Sequence, residues 1–105
     1  MVKREIIESI RRYILLLKTE GITVEKAYLY GSYSTGTAKG SSDIDLMIVI
    51  NNFDANDDFV AGKIWRLTRK VDTKIEPFLI GIDRFNNSND SPLINLIKKR
   101  GVEIV

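Results

Sequence analysis

Between residues 3 and 19 the hydrophobic side chains recur at helical spacing. Ile6, Ile7, Ile10, Tyr13, Ile14 and Leu17 share one face, and Gly21 marks a stop, with Lys18 in the last turn. Leu15 falls on the opposite side among Arg4, Glu8 and Arg11, as a singly exposed leucine or a contact for a partner. Residues 25–30 read as a strand that ends at Gly31, and a polar, glycine-punctuated loop fills residues 31–42. Residues 43–50 begin acidic and alternating and end solidly apolar, the pattern of a central strand. After a turn, Asp54 is the expected cap of a second helix over residues 55–71, with Val60, Ala61, Ile64, Leu67 and Val71 on one side.

Residues 74–80 predict a third strand. Pro77 inside it removes a ladder donor, so this strand belongs at an edge or carries a bulge. Ser91 is placed to cap a last helix with Pro92 at its first position and Gly101 just past its end. Residues 102–105 predict a short closing strand. The order implies an α/β (α+β) fold, a small mixed β-sheet flanked by helices, in a single domain over residues 1–105.

Composition narrows the chemistry. The chain has 105 residues, enough for a core that buries roughly two-thirds of the unfolded surface without staples. It has 16 basic and 14 acidic side chains, a formal charge of +2, which is not the balance of a protein that coats nucleic acid. Cysteine and histidine are both absent, which excludes disulfides, thiolate zinc sites, and the commonest general base. Any catalysis must use carboxylates, hydroxyls, lysines, backbone amides or a hard metal on oxygen ligands. The longest apolar runs, YILLL and LMIVI, fall far short of the roughly 20 residues that span a bilayer. The opening MVKREIIES lacks the apolar block of a signal peptide, and a cytoplasmic location is expected.

The informative stretch is YLYGSYSTGTAKGSSDIDLMIVI, residues 28–50. A strand delivers the chain to Gly31-Ser32, and ten residues later the next strand opens with Asp43-Ile44-Asp45. Side chains alternate along a strand, so Asp43 and Asp45 project from one face while Ile44 and Leu46 point the other way. Two neighbouring carboxylates repel, and at the edge of a core they call for a cation. Magnesium fits best among hard metals: it takes one or two protein carboxylates and completes its shell with water and phosphates. Gly31 lets the backbone approach a ligand closely, and amides after it, if they open a helical turn, would cradle an anion. The loop glycines Gly36 and Gly40 suit a tight path around a triphosphate. This is neither a Walker A loop nor a dinucleotide fingerprint. It describes a site for a magnesium-bound nucleotide.

Gly-Ser, ten residues, then Asp-x-Asp resembles the signature of nucleotidyltransferases of the DNA polymerase β superfamily. The short length and SSDIDLMIVI look like the minimal nucleotidyltransferases, many of which serve as antitoxins to a helical HEPN-domain toxin. The resemblance covers roughly residues 24–80. It implies a nucleotidyltransferase, an adenylyltransferase moving AMP from ATP, with the acceptor hydroxyl on a HEPN-type toxin or other partner protein, or on an RNA. By the same resemblance Gly31 and Ser32 would hold the β- and γ-phosphates, and Asp43 and Asp45 would bind two Mg²⁺ ions. Such enzymes need a third carboxylate on a neighbouring strand, which leaves Glu76 and Asp72. Glu76 is preferred, because Lys74, Glu76 and Phe78 share one face of a rigid strand. Glu76 departs from the commoner aspartate, and Tyr33 stands where the family often has arginine.

A chain this short has little left to recognise an acceptor, so a partner must present it. The second helix turns Phe59 toward Lys63, Arg66 and Lys70, a solvated basic face or a docking surface. Two other classes compete: an antitoxin that neutralises its toxin by contact alone, and a nucleic-acid adaptor using Arg66, Arg69, Lys70 and residues 98–100. The intact carboxylate pair counts against the first and the near-neutral charge against the second.

Overall fold

The computed structural model describes residues 2–51 and 57–105. Helix α1 (Arg4–Thr19) is followed by β1 (Val24–Tyr30), a single-turn helix α2 (Ser32–Thr35) and β2 (Ile44–Ile50). Then come α3 (Asp58–Leu67), a 3-10 turn (Thr68–Lys70), β3 (Ile75–Gly81), α4 (Ile82–Asn86), α5 (Pro92–Arg100) and β4 (Val102–Glu103). The sheet order is β3-β2-β1-β4, with β1 antiparallel to β2 and β4, and β2 parallel to β3. The parallel pair needs a crossover, which α3 supplies. The result is a mixed sheet flanked by helices. Among the described residues, no helix is long and apolar enough to cross a membrane.

Strand β2 decides where the core lies. Ile44, Leu46, Ile48 and Ile50 pack with Ile6, Ile10, Tyr13 and Leu17 of α1 and Ile64 and Leu67 of α3. Met47 and Val49 point to the other side, where Tyr28, Ile80, Phe85, Ile94 and Ile97 meet them. Tyr13, fully buried, donates its hydroxyl to the Ile64 carbonyl at 2.6 Å, which ties α1 to α3. Burial pushes the Tyr13 phenol well above its ordinary pKa, so it stays a donor.

The chain punctuation acts as its chemistry requires. Ser91 Oγ accepts from the Ile94 amide at 3.2 Å, with Pro92 opening α5 and Gly101 closing it. Pro77 sits in β3, an edge strand. Leu15 is 61% exposed.

Several expectations shift. The expected cap Asp54 and first helical residue Ala55 lie outside the described residues. Asp57 caps α3 instead, its Oδ1 accepting from the amides of Phe59 and Val60 at 3.1 and 3.2 Å. The end of that helix tightens into the 3-10 turn rather than running on to Val71. Strand β2 begins at Ile44, one residue late, and β4 is only Val102–Glu103, although Ile104 still donates to the Ala27 carbonyl at 2.7 Å. The short α4 is additional. Five residues show no readable helical period, and Phe85, buried beside Tyr28 with ring centroids 5.8 Å apart, anchors it.

Candidate active site

In the β-sheet Tyr30 pairs with Asp45, and Asp45 pairs with Glu76. Residues in register across neighbouring strands project from the same face. Tyr30, Asp45 and Glu76 therefore form one row. The next row on that face is Tyr28, Met47 and Phe78. Helices α4 and α5 cover the inner rows through Phe85, Ile94 and Ile97, leaving the first row at the open end. Tyr30 and Asp45 are half-buried there and Glu76 is exposed. Asp43, one residue before β2, is exposed beside them.

Electrostatics mark the row as a place of unbalanced charge. Partial desolvation raises the Asp45 pKa above its ordinary value, and the charge of Asp43 adds to it. Glu76 is raised by desolvation, then by the charge of Asp43, by a hydrogen bond between them once a proton is present, and by Asp45. The Tyr30 phenol is raised by desolvation, then by Asp45 and Glu76. Among the described residues the ion pairs are Arg4–Glu8, Lys63–Glu20 and Arg84–Asp90, and none touches this row. No three acidic side chains among the described residues close into a ready metal cage. The donor set is nonetheless all oxygen, with clustered negative charge that a hard dication would relieve.

The glycine-serine turn meets the row from above. Gly31 has φ +75°, which disfavours any side chain, and a Cβ built there would collide with Asp45 Oδ2 and lie 3.2 Å from Asp45 Cγ. Only glycine lets the backbone lie this close to the Asp45 carboxylate. Its carbonyl accepts from the amides of Ser34 and Thr35 at 3.1 and 3.3 Å and from Ser34 Oγ at 2.8 Å. Helix α2 thus starts at once, and its first amides, at Ser32 and Tyr33, have no intrahelical partner. Gly31, Ser32, Asp43, Asp45 and Glu76 are brought to one end of the sheet.

With that geometry in view, the sequence matches the family described as "Polymerase beta, Nucleotidyltransferase" over residues 14–105. The chain belongs to that family. A search of curated proteins gives no significant match. A solved structure from Sulfolobus solfataricus, described as a candidate nucleotidyltransferase, has a TM-score of 0.48 and 20% identity, over 81% of this chain and 81% of that one. As a polymerase β-type nucleotidyltransferase domain, the chain has the fold of nucleotidyl transfer. A nucleotide is the substrate that fold implies, and the family generally uses a divalent metal.

The remaining positions fall into place around this nucleotidyltransferase fold. Asp72 is not in the row: its Oδ1 accepts from the Lys74 amide at 2.9 Å and its carbonyl from Ile75 at 3.2 Å, so it shapes the turn into β3. Tyr33 packs against the α1-side core and offers its hydroxyl to the Lys39 carbonyl at 3.4 Å. It also lines a cavity of about 270 Å³ with Lys3, Lys39 and Lys74. No acid lines that cavity. Lys74, read from the sequence as sharing a face with Glu76, instead precedes β3 and lines this cavity with Ile6 and Tyr33 of the α1-side core. The cavity itself escaped the sequence reading, because its lysines come from three separate segments. Only Lys39, inside the Gly-Ser loop, carried a local signal. Phe59 is 74% exposed, and Lys63 is engaged with Glu20 at 3.4 Å.

Proposed function

We propose that this nucleotidyltransferase domain moves AMP from ATP to a hydroxyl carried by a partner, a HEPN-type toxin or an RNA, and acts as the antitoxin of a toxin–antitoxin pair. The observation that carries the catalytic part is the register Tyr30–Asp45–Glu76, with Gly31 pressed against Asp45. The antitoxin part rests on the resemblance of residues 41–50 to minimal nucleotidyltransferases.

Asp43, Asp45 and Glu76 would hold Mg²⁺, two ions in the catalytic complex. When bound, such ions acidify an attacking hydroxyl and neutralise charge on the triphosphate and leaving group. The amides of Ser32 and Tyr33 and the Ser32 hydroxyl grip the β- and γ-phosphates. Lys3, Lys39 and Lys74 add positive charge behind the loop, the part that an arginine at position 33 would otherwise play. The acceptor oxygen attacks the α-phosphorus in line, its proton passes to the Glu76 carboxylate, and the bond to the bridging β-oxygen breaks to release pyrophosphate. Positioning and charge stabilisation carry the chemistry, so no histidine is needed.

The test is transfer of label from ATP labelled at the α-phosphate, with and without the co-purifying partner. Label on the partner or its RNA in Mg²⁺, lost with chelator, supports the reading. Neutralisation of a partner that never acquires label contradicts it in favour of a contact-only antitoxin.

A further inference from the structure

Trp65, the only tryptophan in the chain, is 47% exposed near the end of α3. It lines a cavity of about 230 Å³ with Arg66, Thr68, Arg69 and Thr73. No acid lines this cavity, and neither arginine forms an ion pair among the described residues. Gly62 leaves room for Arg66 to lie along the helix: a Cβ there would come 3.1 Å from Arg66 Nη1. Thr68 already donates its hydroxyl to the Trp65 carbonyl at 2.7 Å, whereas the exposed Thr73 hydroxyl has no hydrogen-bond partner among the described residues.

Topology sets this pocket at the same end of the sheet as the carboxylates, on the opposite face, where α3 packs. Helix α3 follows the far end of β2 and returns the chain to the start of the parallel strand β3. Its C-terminal end therefore lies at the end of the sheet where Asp45 and Glu76 sit. Thr73 precedes Glu76 by three residues, a chain reach of at most about 11 Å.

We propose that this pocket is a subsite for single-stranded RNA, seating an unstacked base on Trp65 and flanking phosphates on Arg66 and Arg69. It rests on the reading of the carboxylate row as the place of transfer, with the RNA end passing around the edge strand β3 to reach that row as the acceptor. An exposed indole beside two guanidiniums, unpaired among the described residues, offers a stacking surface for a base and cations for its phosphates. An acidic peptide would use the arginines and leave the indole unmatched. The exposed Thr73 hydroxyl in the same pocket offers a partner to a 2′-hydroxyl, which is what distinguishes RNA from DNA.

The lone tryptophan is its own probe. Intrinsic fluorescence is titrated with an unstructured ten-nucleotide RNA, without nucleotide or Mg²⁺, and with DNA of the same sequence and a polyglutamate peptide as controls. Saturable quenching by RNA is expected, weaker with DNA and absent with the peptide. Trp65→Ala, followed with dye-labelled RNA, should weaken binding about 5- to 150-fold, and Trp65→Phe much less. Arg66→Gln and Arg69→Gln should each lower the salt slope by about one. Asp45→Asn should keep RNA binding, which separates this subsite from the transfer chemistry. No quenching by RNA, equal quenching by DNA or peptide, or a Trp65→Ala protein that binds RNA normally would overturn the proposal.

Discussion

The two faces of β2 are built from the same seven residues and treated differently. On the α1 side Ile44, Leu46, Ile48 and Ile50 are buried from end to end. On the α4 and α5 side Met47 and Val49 are buried, and then the covering layer stops and Asp45 stands at its edge. The first face is a core and nothing else. The second is a core for two positions and an open polar edge for one, because a carboxylate can be half-desolvated there without being sealed in. That placement raises the Asp45 pKa while leaving it reachable by a ligand. Aspartates elsewhere show the contrast again: Asp57 and Asp72 have backbone amides to accept from, and Asp45 faces other acids.

The largest expected effect comes from emptying the open position of its charge. Asp43→Asn and Asp45→Asn should each abolish transfer, because too little negative charge remains to hold Mg²⁺. Near-normal turnover in either, measured with α-labelled ATP, would break the distinction between the faces. Gly31→Ala comes next. A side chain at φ +75° costs about 1–3 kcal/mol and here also displaces the Asp45 carboxylate, so both melting temperature and transfer should fall. Ser32→Ala should weaken nucleotide use by the worth of one charge-assisted hydrogen bond, about 1.5–3 kcal/mol, since the amides remain. Unchanged ATP affinity in calorimetry would remove the serine from the site.

The smallest effect sharpens the comparison through pH. Asp45 and Glu76 have folded pKa values raised above 3.8 and 4.5. Their contribution to stability is thus complete below those ordinary values and is lost as pH rises through the raised ones. The metal-free protein should lose melting temperature over that rise. Asp45→Asn should flatten the loss and melt a few degrees higher at pH 7, and Mg²⁺ should stabilise only the parent. A metal-free Asp45→Asn protein that melts lower would make the carboxylate structural.

What could be read from the sequence divides along the same line. Period and punctuation place α1, β1, β2, β3 and α5, because Ile6 to Leu17, residues 44–50 and the Ser91-Pro92 cap are local patterns. The Gly31-Ser32 and Asp43-x-Asp45 spacing is local too. The pairing of Asp45 with Glu76 needs the parallel register of strands that lie 31 residues apart. Strand alternation only hints at it, whereas the register fixes it and leaves Asp72 in a turn. The lysine cavity is assembled from segments distant in sequence, the Trp65 pocket lies within residues 65–73 but no motif marks it, and α4 is too short to show a period.

The most direct test of the carboxylate row sets its least orthodox member against the acid that lies outside it. In a single-turnover assay with α-labelled ATP, paired with calorimetry of Mg²⁺-ATP binding, Glu76→Gln and Asp72→Asn are compared with the parent protein. The row predicts that Glu76→Gln binds Mg²⁺-ATP within a few-fold of the parent but loses orders of magnitude in the chemical step, while Asp72→Asn keeps both. An active Glu76→Gln protein, with or without a dead Asp72→Asn, would contradict it.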